Sequence, residues 1–316
     1  MIPVENEHSA EIKKLITGSY QYFDAGDFNK SRELLDQAHK LDFENSEVRS
    51  ALRACGYWDQ RLQSLEKLKS DVDRGNYLRR QWHHYQCSYR TGFNHPLDEG
   101  SARLKRWVHN TALTYYLKYA SDFSDSEAIL QAGRCRKALG RYEESITTLE
   151  EAVRMSGEED SRLLAELADT YALIGESQSA KVLMREAMFL DAGSIELDEI
   201  HSPLFQRLIE RLKRERDIGD PGFAEWLPVF GSIWGVLDIK RELSPVEYGK
   251  LKQRIYSLKN ELVDGDKLGR LTPKLINHYF RLIDHYQFTG AGRPAVDEVL
   301  MEIKLLSPAI YRNYFE

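Results

Sequence analysis

The sequence predicts an all-α protein built from helical hairpins. Apolar residues recur at steps of three and four along most of the chain, which is the spacing of one face of an α-helix. Between Ser126 and Ser194 one hairpin pattern is written twice in succession, and a glycine-containing turn divides each copy. Charged residues make up 30% of the 316 residues and crowd the periodic segments, as expected of amphipathic helices around a shared core.

The two copies correspond residue by residue when Gly140 is aligned with Gly175. The matched pairs are Ile129/Leu164, Ala132/Leu167, Gly133/Ala168, Tyr142/Ser177, Ser145/Ala180, Leu149/Met184 and Ala152/Ala187. Small residues fall where two helices must approach closely, and large apolar residues fall between them. A helix–turn–helix unit of roughly 34 residues is typical of a solenoid repeat. The stretch Ser126–Val153, SEAILQAGRCRKALGRYEESITTLEEAV, resembles the tetratricopeptide repeat (TPR) family.

The resemblance implies a TPR-like α-solenoid of helical hairpins with a non-repeating helical cap at its C-terminal end. A further copy is predicted over residues 12–45, where Gly26 ends the first helix in the left-handed conformation. Aligned on this glycine, Ser19, Ser31, Leu35 and Ala38 match Gly133, Ser145, Leu149 and Ala152.

The middle of the chain, residues 46–125, is predicted to be a degenerate or expanded repeat. The expected elements are one long helix over Ser46–Val72, a break at Asp73–Asn76, an aromatic and basic stretch over Tyr77–Tyr89, a loop over Thr91–Gly100 and a helix from Ser101 to about Ala120. No TPR turn interrupts the long helix.

The chain is predicted to divide into a repeat domain, residues 1–218, and a C-terminal helical cap or domain, residues 219–316. The break is Ile218–Gly222, IGDPG, which follows a helix predicted over Ile195–Arg216. Later helices are expected to start at Ser244-Pro245 and Thr272-Pro273, because Ser or Thr caps a helix and Pro fits its first turn. A last helix is expected from about residue 294 to 306.

The net charge of −6 and the pI near 5.9 argue against broad attraction to nucleic acid or to an anionic membrane. The polar N-terminal sequence lacks the pattern of a secretory signal, so a cytoplasmic location is expected. Cys55, Cys87 and Cys135 are odd in number and far apart, which predicts buried free thiols rather than disulfides. No membrane span is predicted.

The resemblance also implies a non-enzymatic scaffold or adaptor that binds a protein or peptide partner in a groove lined by the first helix of each hairpin. In the first hairpin the family's groove positions correspond to Lys13, Ile16, Tyr20 and Phe23. The predicted partner-binding residues, which occupy such positions, are Tyr20, Phe23, Arg134, Lys137 and Asp169. Arg134 and Lys137 share a helical face with Arg141, and this face can receive an acidic peptide. The alternative is a solvated face opposite Glu143 and Glu144. A chaperone carboxylate clamp is not expected, because the residues at its Asn position are Tyr20, Arg134 and Asp169.

Two other interactions stay open. Basic and aromatic residues alternate over residues 74–107, a pattern that can neutralise and stack on single-stranded nucleic acid. Trp226, Phe230 and Trp234 fall on one helical stripe, which predicts either core packing or an exposed patch for self-association into a homo-oligomer. His83 and Cys87 lie four residues apart but offer too few ligands for zinc, so no metal or cofactor is predicted. No catalytic motif holds, so no enzymatic activity is predicted.

Overall fold

The computed structural model describes residues 8–89, 98–119, 125–157, 159–220, 222–263 and 268–315. These residues form α-helices joined by short turns and include no strand, so the predicted all-α class is confirmed. The chain forms two compact units, residues 1–145 and 146–316. The division predicted between residues 218 and 219 falls inside the second unit.

The N-terminal unit is built from helices α1 to α6, and α7 spans the boundary between the two units. The bounds are α1 Ser9–Ala25, α2 Phe28–Leu41, α3 Ser46–Leu65, α4 Asp71–His84, α5 Asp98–Tyr119, α6 Ser126–Ala138 and α7 Tyr142–Met155. A π-helical turn, Tyr85–Tyr89, follows α4. Helix α5 is central to the unit, since it packs against α1, α4 and α6.

The hairpin predicted at the N-terminus is formed by α1 and α2. Gly26 ends α1 with a φ of 69°, in the left-handed region that favours glycine. The side chain of Asp27 then caps α2 by accepting a hydrogen bond from the backbone N–H of Lys30 at 3.1 Å. The turn chemistry in the sequence therefore locates this hairpin correctly.

The long helix predicted over Ser46–Val72 is wrong in extent. Helix α3 ends at Leu65, and α4 begins at Asp71 after Ser70, whose hydroxyl accepts a hydrogen bond from the N–H of Asp73 at 3.5 Å. The break predicted at Asp73–Asn76 lies inside α4. Gly75 has a packing role there, because a Cβ on it would come within 2.7 Å of the Tyr116 ring. A glycine required by a neighbouring helix was thus mistaken for a helix break.

A cluster of aromatic rings lies in the core of the N-terminal unit. Trp58 has no exposed surface and meets Trp107 edge-on, with 5.4 Å between ring centroids. Trp107 in turn contacts Phe28 at 5.1 Å, while Trp82 and Tyr85 pack on the other side of Trp58. Edge-on and tilted arrangements of this kind are favoured by the charge distribution of aromatic rings.

The three cysteines are free, as predicted. Cys55 and Cys135 are buried, but Cys87 is exposed, which corrects the expectation that all three thiols lie in the core. Cys87 belongs to the π-helical turn, and its Sγ lies 3.6 Å from Nε2 of the exposed His83.

The C-terminal unit consists of the end of α7 and eight further helices within the described residues. Their bounds are α8 Ser161–Leu173, α9 Ser177–Asp191, α10 Pro203–Glu215, α11 Phe223–Ile233, α12 Pro245–Val263, α13 Leu268–Thr289, α14 Arg293–Leu306 and α15 Pro308–Asn313. Helices α8 and α9 form the predicted second copy of the hairpin, and Gly175 in its turn has a φ of 91°.

Helix α10 begins later than predicted. Residues 195–202 form 3₁₀ turns and extended chain, and the helix starts at Pro203. Asp169 of α8 accepts hydrogen bonds from the backbone N–H groups of His201 and Ser202, at 2.9 and 2.8 Å. These bonds hold the chain extended in front of α10, and Pro203 suits the first helical position because it has no N–H to satisfy.

The IGDPG break is a turn within the C-terminal unit. Helix α11 follows it and packs against α9, α10 and α13. Pro228 lies inside α11 and does not divide it. Helix α13 starts at Leu268, upstream of the predicted start at Thr272-Pro273, so Pro273 lies in its second turn.

Substituting Gly75 with Ala tests the packing role of this glycine. Helix propensity alone favours alanine by about 1 kcal/mol. We expect the opposite sign, a loss of about 1–2 kcal/mol in the free energy of unfolding, because the added Cβ overpacks the fully buried Tyr116. Gly56→Ala is the matched control, since a Cβ at this position in α3 meets nothing within 4 Å. Urea unfolding of both variants decides the matter, and two variants of equal stability would disprove the packing role.

Candidate functional site

The first two predicted groove residues, Tyr20 and Phe23, lie inside the N-terminal unit. Phe23 has no exposed surface and packs between Tyr20 and Phe28, with ring centroids 5.4 and 5.8 Å apart. The hydroxyl of Tyr20 donates a hydrogen bond to Oε1 of Glu47 at 3.0 Å. Burial, with the Glu47 carboxylate second, raises the pKa of Tyr20 well above its usual range, so the hydroxyl keeps its proton.

Arg134 and Lys137 are also buried, with 3% and 4% of their surfaces exposed. Both extend from α6, where Asp125 caps the first turn through the N–H groups of Glu127 and Ala128. Arg141, on the same predicted face, hydrogen-bonds to the side chain of Asn110 at 3.2 Å.

The fifth predicted groove residue, Asp169, is fully buried in the C-terminal unit. Its two carboxylate oxygens accept the backbone bonds of His201 and Ser202 described above. The carboxylate is therefore committed to an internal structural contact.

A recess along α1 is the surface feature that coincides with the family's groove positions. Its volume is about 300 Å³, and we name it the α1 recess. Helix α1 contributes Ser9, Ile12, Lys13, Ile16, Thr17 and Tyr20, and the facing side consists of Asp42, Asn45, Glu47 and Glu99. Lys13, Ile16 and Tyr20 occupy groove offsets of the first hairpin, so the recess lies where the resemblance implies a ligand.

The α1 recess carries more negative than positive charge. Asp42, Glu47 and Glu99 line it, against Lys13. Phe43 follows Asp42 in the loop before α3, and 70% of its surface is exposed. A partner with a basic side chain and an apolar contact for this phenylalanine would suit these surroundings.

Within the described part of the basic aromatic region, residues 74–107, three large rings lie in the core. Trp82, Tyr85 and Trp107 are buried. Arg103 and Arg106 bind the carboxylate of Asp24, at 2.7 and 3.1 Å. Stacking on bases would thus depend on the remaining aromatic residues. Binding of nucleic acid stays a prediction, and residues 90–97 of this region lie outside the described residues.

The aromatic stripe lies mainly inside the C-terminal unit. Trp226 and Phe230 are buried, and Trp234 is half-buried. The guanidinium of Arg216 covers the Trp226 ring at 3.7 Å, and that of Arg211 covers Trp234 at 4.0 Å. The rings are thus covered by cation–π contacts within this unit. Self-association through the stripe stays a prediction.

A larger cavity, of about 820 Å³, lies within the C-terminal unit, and we name it the C-terminal cavity. It is bounded mainly by α9 on one side and by α12 and α13 on the other. The apolar residues that line it include Val182, Leu183, Phe189, Leu190, Leu243 and Leu251. The cationic residues are Arg241, Lys250, Arg254, Lys274 and Arg281, and the carboxylates are Glu186 and Glu247.

Both carboxylates in the lining of the cavity are held by arginine. Glu186 receives two hydrogen bonds from Nη2 of Arg281, at 2.5 and 2.7 Å, and another from Arg241. Arg241 also donates to Glu247 at 2.6 Å and thereby lowers the pKa of this carboxyl to about 2. A further buried pair, Arg185 with Asp284, joins α9 to α13, and burial raises the pKa of Asp284 to about 6.

His278 faces the cavity as a neutral ring. Its Nδ1–H donates to the backbone carbonyl of Lys274 at 2.7 Å, and its ring packs at a tilt against Phe189 with 4.7 Å between centroids. Burial lowers the pKa of His278 to about 4, and the charges of Arg254, Lys274 and Arg281 act in the same direction.

The residues of this cavity were not predicted from the sequence, although part of the signal was present there. Lys274, His278 and Arg281 follow the steps of four and three that place residues on one face of a helix, and Lys250 and Arg254 do the same in α12. Nothing in the sequence shows that these faces of α12 and α13 line one cavity together with α9. The acidic lining of the α1 recess is equally invisible, because Glu47 and Glu99 are distant from α1 in sequence.

The helices and their hairpin turns are those of a helical-repeat protein. Residues 126–159 match the family model of the tetratricopeptide repeat, so the chain contains a repeat of this family where its sequence predicted the clearest copy. A search of the curated proteins finds no match to the chain. Within the part of the chain that the structure describes, no helix has the length and apolar character needed to cross a membrane.

His278 predicts a pH dependence of stability. In the unfolded chain this histidine takes up a proton as the pH falls below about 6.5, whereas in the folded protein it does so only near 4. The unfolded state therefore binds more protons in this window, and the free energy of unfolding falls as the pH drops from 6.5 to 4. The full shift corresponds to about 3 kcal/mol.

Urea unfolding at pH 7 and pH 4.5 measures this effect. We expect His278→Gln to lose much of the acid destabilisation, whereas a variant of the exposed His83, His83→Gln, should retain it. The raised pKa of Asp284 makes the free energy of unfolding rise as the pH falls, but Asp284 is present in all three proteins. The difference in pH dependence between the variants therefore reports on His278. Equal pH dependence in His278→Gln and the unmodified protein would contradict the assignment.

Proposed function

We propose that the protein is a non-enzymatic interaction scaffold that binds a peptide segment of a protein partner along the first helix of its N-terminal hairpin. The observation that carries the proposal is the position of the α1 recess at Lys13, Ile16 and Tyr20, three groove offsets of a TPR hairpin. The repeat matched at residues 126–159 supports the general role, because TPR units are typically protein-interaction modules.

The ligand proposed for the α1 recess is a basic and apolar peptide. Three carboxylates line the recess, and two of them, Asp42 and Glu47, are only partly exposed, which increases their effect on a nearby cation. Phe43 offers a large apolar contact beside them. Aromatic anchors next to a charged rim are the usual source of affinity in such contacts.

The burial of Arg134, Lys137 and Asp169 decides which variants can test the proposal. Charge reversal at Arg134 and Lys137 would place carboxylates where only 3% and 4% of the surface is exposed, and loss of stability would then obscure loss of binding. Surface positions of α1 avoid this difficulty.

Thr17→Trp tests the recess directly, because Thr17 is exposed and its side chain lines the recess. We expect the larger side chain to fill the recess and to reduce partner capture from the cell's own lysate at least tenfold. Lys14→Trp is the matched control, since Lys14 is exposed on α1 but does not line the recess. Quantitative mass spectrometry of the captured proteins compares the variants. A partner retained equally by both would remove the α1 recess from the proposal.

Nucleic-acid binding is tested in parallel with a fluorescent single-stranded oligonucleotide at low and moderate salt. If the protein is a scaffold of the proposed kind, we expect no specific binding of the oligonucleotide. The double variant Arg79→Gln/Arg80→Gln should then behave like the unmodified protein. Salt-dependent binding that this double variant loses would instead favour the region at residues 74–107 as the functional surface.

A further inference from the structure

We propose that the C-terminal cavity is a binding site for a small amphipathic anion, a carboxylate attached to an aliphatic body such as a long-chain fatty acid. This site lies in a different unit from the α1 recess and does not depend on the function proposed for that recess.

The size and the walls of the cavity suit such a ligand. A volume of about 820 Å³ falls within the range of small-molecule sites. Val182, Leu183 and Phe189 of α9 and Leu251 of α12 supply apolar surface on its two sides. An aliphatic chain loses contact with water when it lies between them, which is the main favourable contribution expected from the body of the ligand.

Arg281 supplies the strongest indication that the ligand carries an anionic head group. Its side chain is buried, with 5% exposed, and only its Nη2 is bonded, to Glu186. The Nε–H of Arg281 is buried without a hydrogen-bond acceptor among the described residues. A carboxylate oxygen in the cavity would provide an acceptor for this guanidinium at short range.

Two lysines line the cavity, and neither has a carboxylate oxygen closer than 3.5 Å among the described residues. Lys250 is exposed on α12 and forms no ion pair within the described residues. Lys274 has only long contacts with carboxylates, at 3.5 Å from Asp191 and 3.6 Å from Glu225. The carboxylates of the lining are already bound to arginine, so an entering anion meets the positive charge of Lys250 without a competing carboxylate among the described residues.

Another cation, Arg254, lies one helical turn after Lys250 and is bound to Glu261 at 3.1 Å. Neutral His278 adds no charge that would oppose or strengthen this field. The cations that lower the pKa of His278 are those that would attract the ligand, and a bound carboxylate would offset them and raise this pKa. Binding should thus be visible at the ring of His278.

An acidic peptide is a poorer match for the same walls. Every buried peptide unit brings an N–H and a C=O that need partners, and the apolar side of the cavity offers none. An aliphatic body has no such groups. The charged and apolar parts of the cavity are therefore better matched by an amphipathic carboxylate.

The test uses the full chain and dodecanoate below its micellar concentration, with calorimetric titration as the readout. We expect saturable binding of one dodecanoate per chain, weakened at least tenfold by Lys250→Glu. Lys252→Glu is the matched control, because Lys252 is exposed on α12 but does not line the cavity, and it should leave the affinity unchanged. Val182→Trp should abolish binding by filling the cavity, with circular dichroism verifying that the variant is folded.

Two further measurements separate this site from unspecific adsorption. Dodecyltrimethylammonium, with the same chain and the opposite charge, should not bind, and dodecanoate should change the chemical shifts of the His278 ring protons at pH 7. Equal binding of both amphiphiles, or equal affinity in the two lysine variants, would overturn the proposal. An acidic peptide that binds where dodecanoate fails would overturn it as well, since the cavity would then take a different class of ligand.

Discussion

The N-terminal unit depends on close contact between aromatic rings and helix backbone at glycine. The contacts are Trp107 on Gly26, Tyr116 on Gly75 and Tyr20 on Gly100, where an added Cβ would come within 2.3, 2.7 and 2.9 Å of the ring. Two of these rings belong to α5, and the third glycine does too. Helix α5 is thereby held against α1, the turn after α1 and α4, with only an aromatic ring between the two backbones at each glycine. Close packing of this kind leaves little room for adjustment, and the three rings belong to one buried cluster that they share with aliphatic residues.

The same contacts explain which part of the fold could be predicted. The hairpins could be predicted because their turns are local: Gly26, Gly140 and Gly175 all adopt positive φ, and each stands between two amphipathic segments of the neighbouring sequence. Gly75 carries the same letter for a different reason, its contact with Tyr116 of α5, which is distant along the chain. Sequence patterns over short windows do not distinguish a glycine needed for its φ from one needed for its size. The error at α3 and α4 follows from this ambiguity.

The predicted groove residues illustrate a second limit. Their positions on the first helices were identified correctly, but their burial depends on segments outside the repeat pattern. Tyr20 is covered by Glu47 and by the backbone at Gly100. The carboxylate of Asp169 accepts hydrogen bonds from the backbone of the segment before α10. A family pattern gives the direction of a side chain from its own helix. It does not give what a non-repeating neighbour places in front of it, so the lining of a ligand site could not be derived from the repeats alone.

Charge distribution separates the two candidate sites more sharply than the net charge of −6 suggests. The α1 recess is lined mainly by carboxylates, whereas cations outnumber carboxylates in the lining of the C-terminal cavity. In the cavity, Glu186 and Arg281 illustrate why this excess persists: one carboxylate is shared by Arg241 and Arg281, and the Nε–H of Arg281 still has no hydrogen-bond acceptor among the described residues. A ligand that suits one site is repelled by the other. Since charge repulsion is an effective source of specificity, the two sites would select different molecules even if both were present at high concentration.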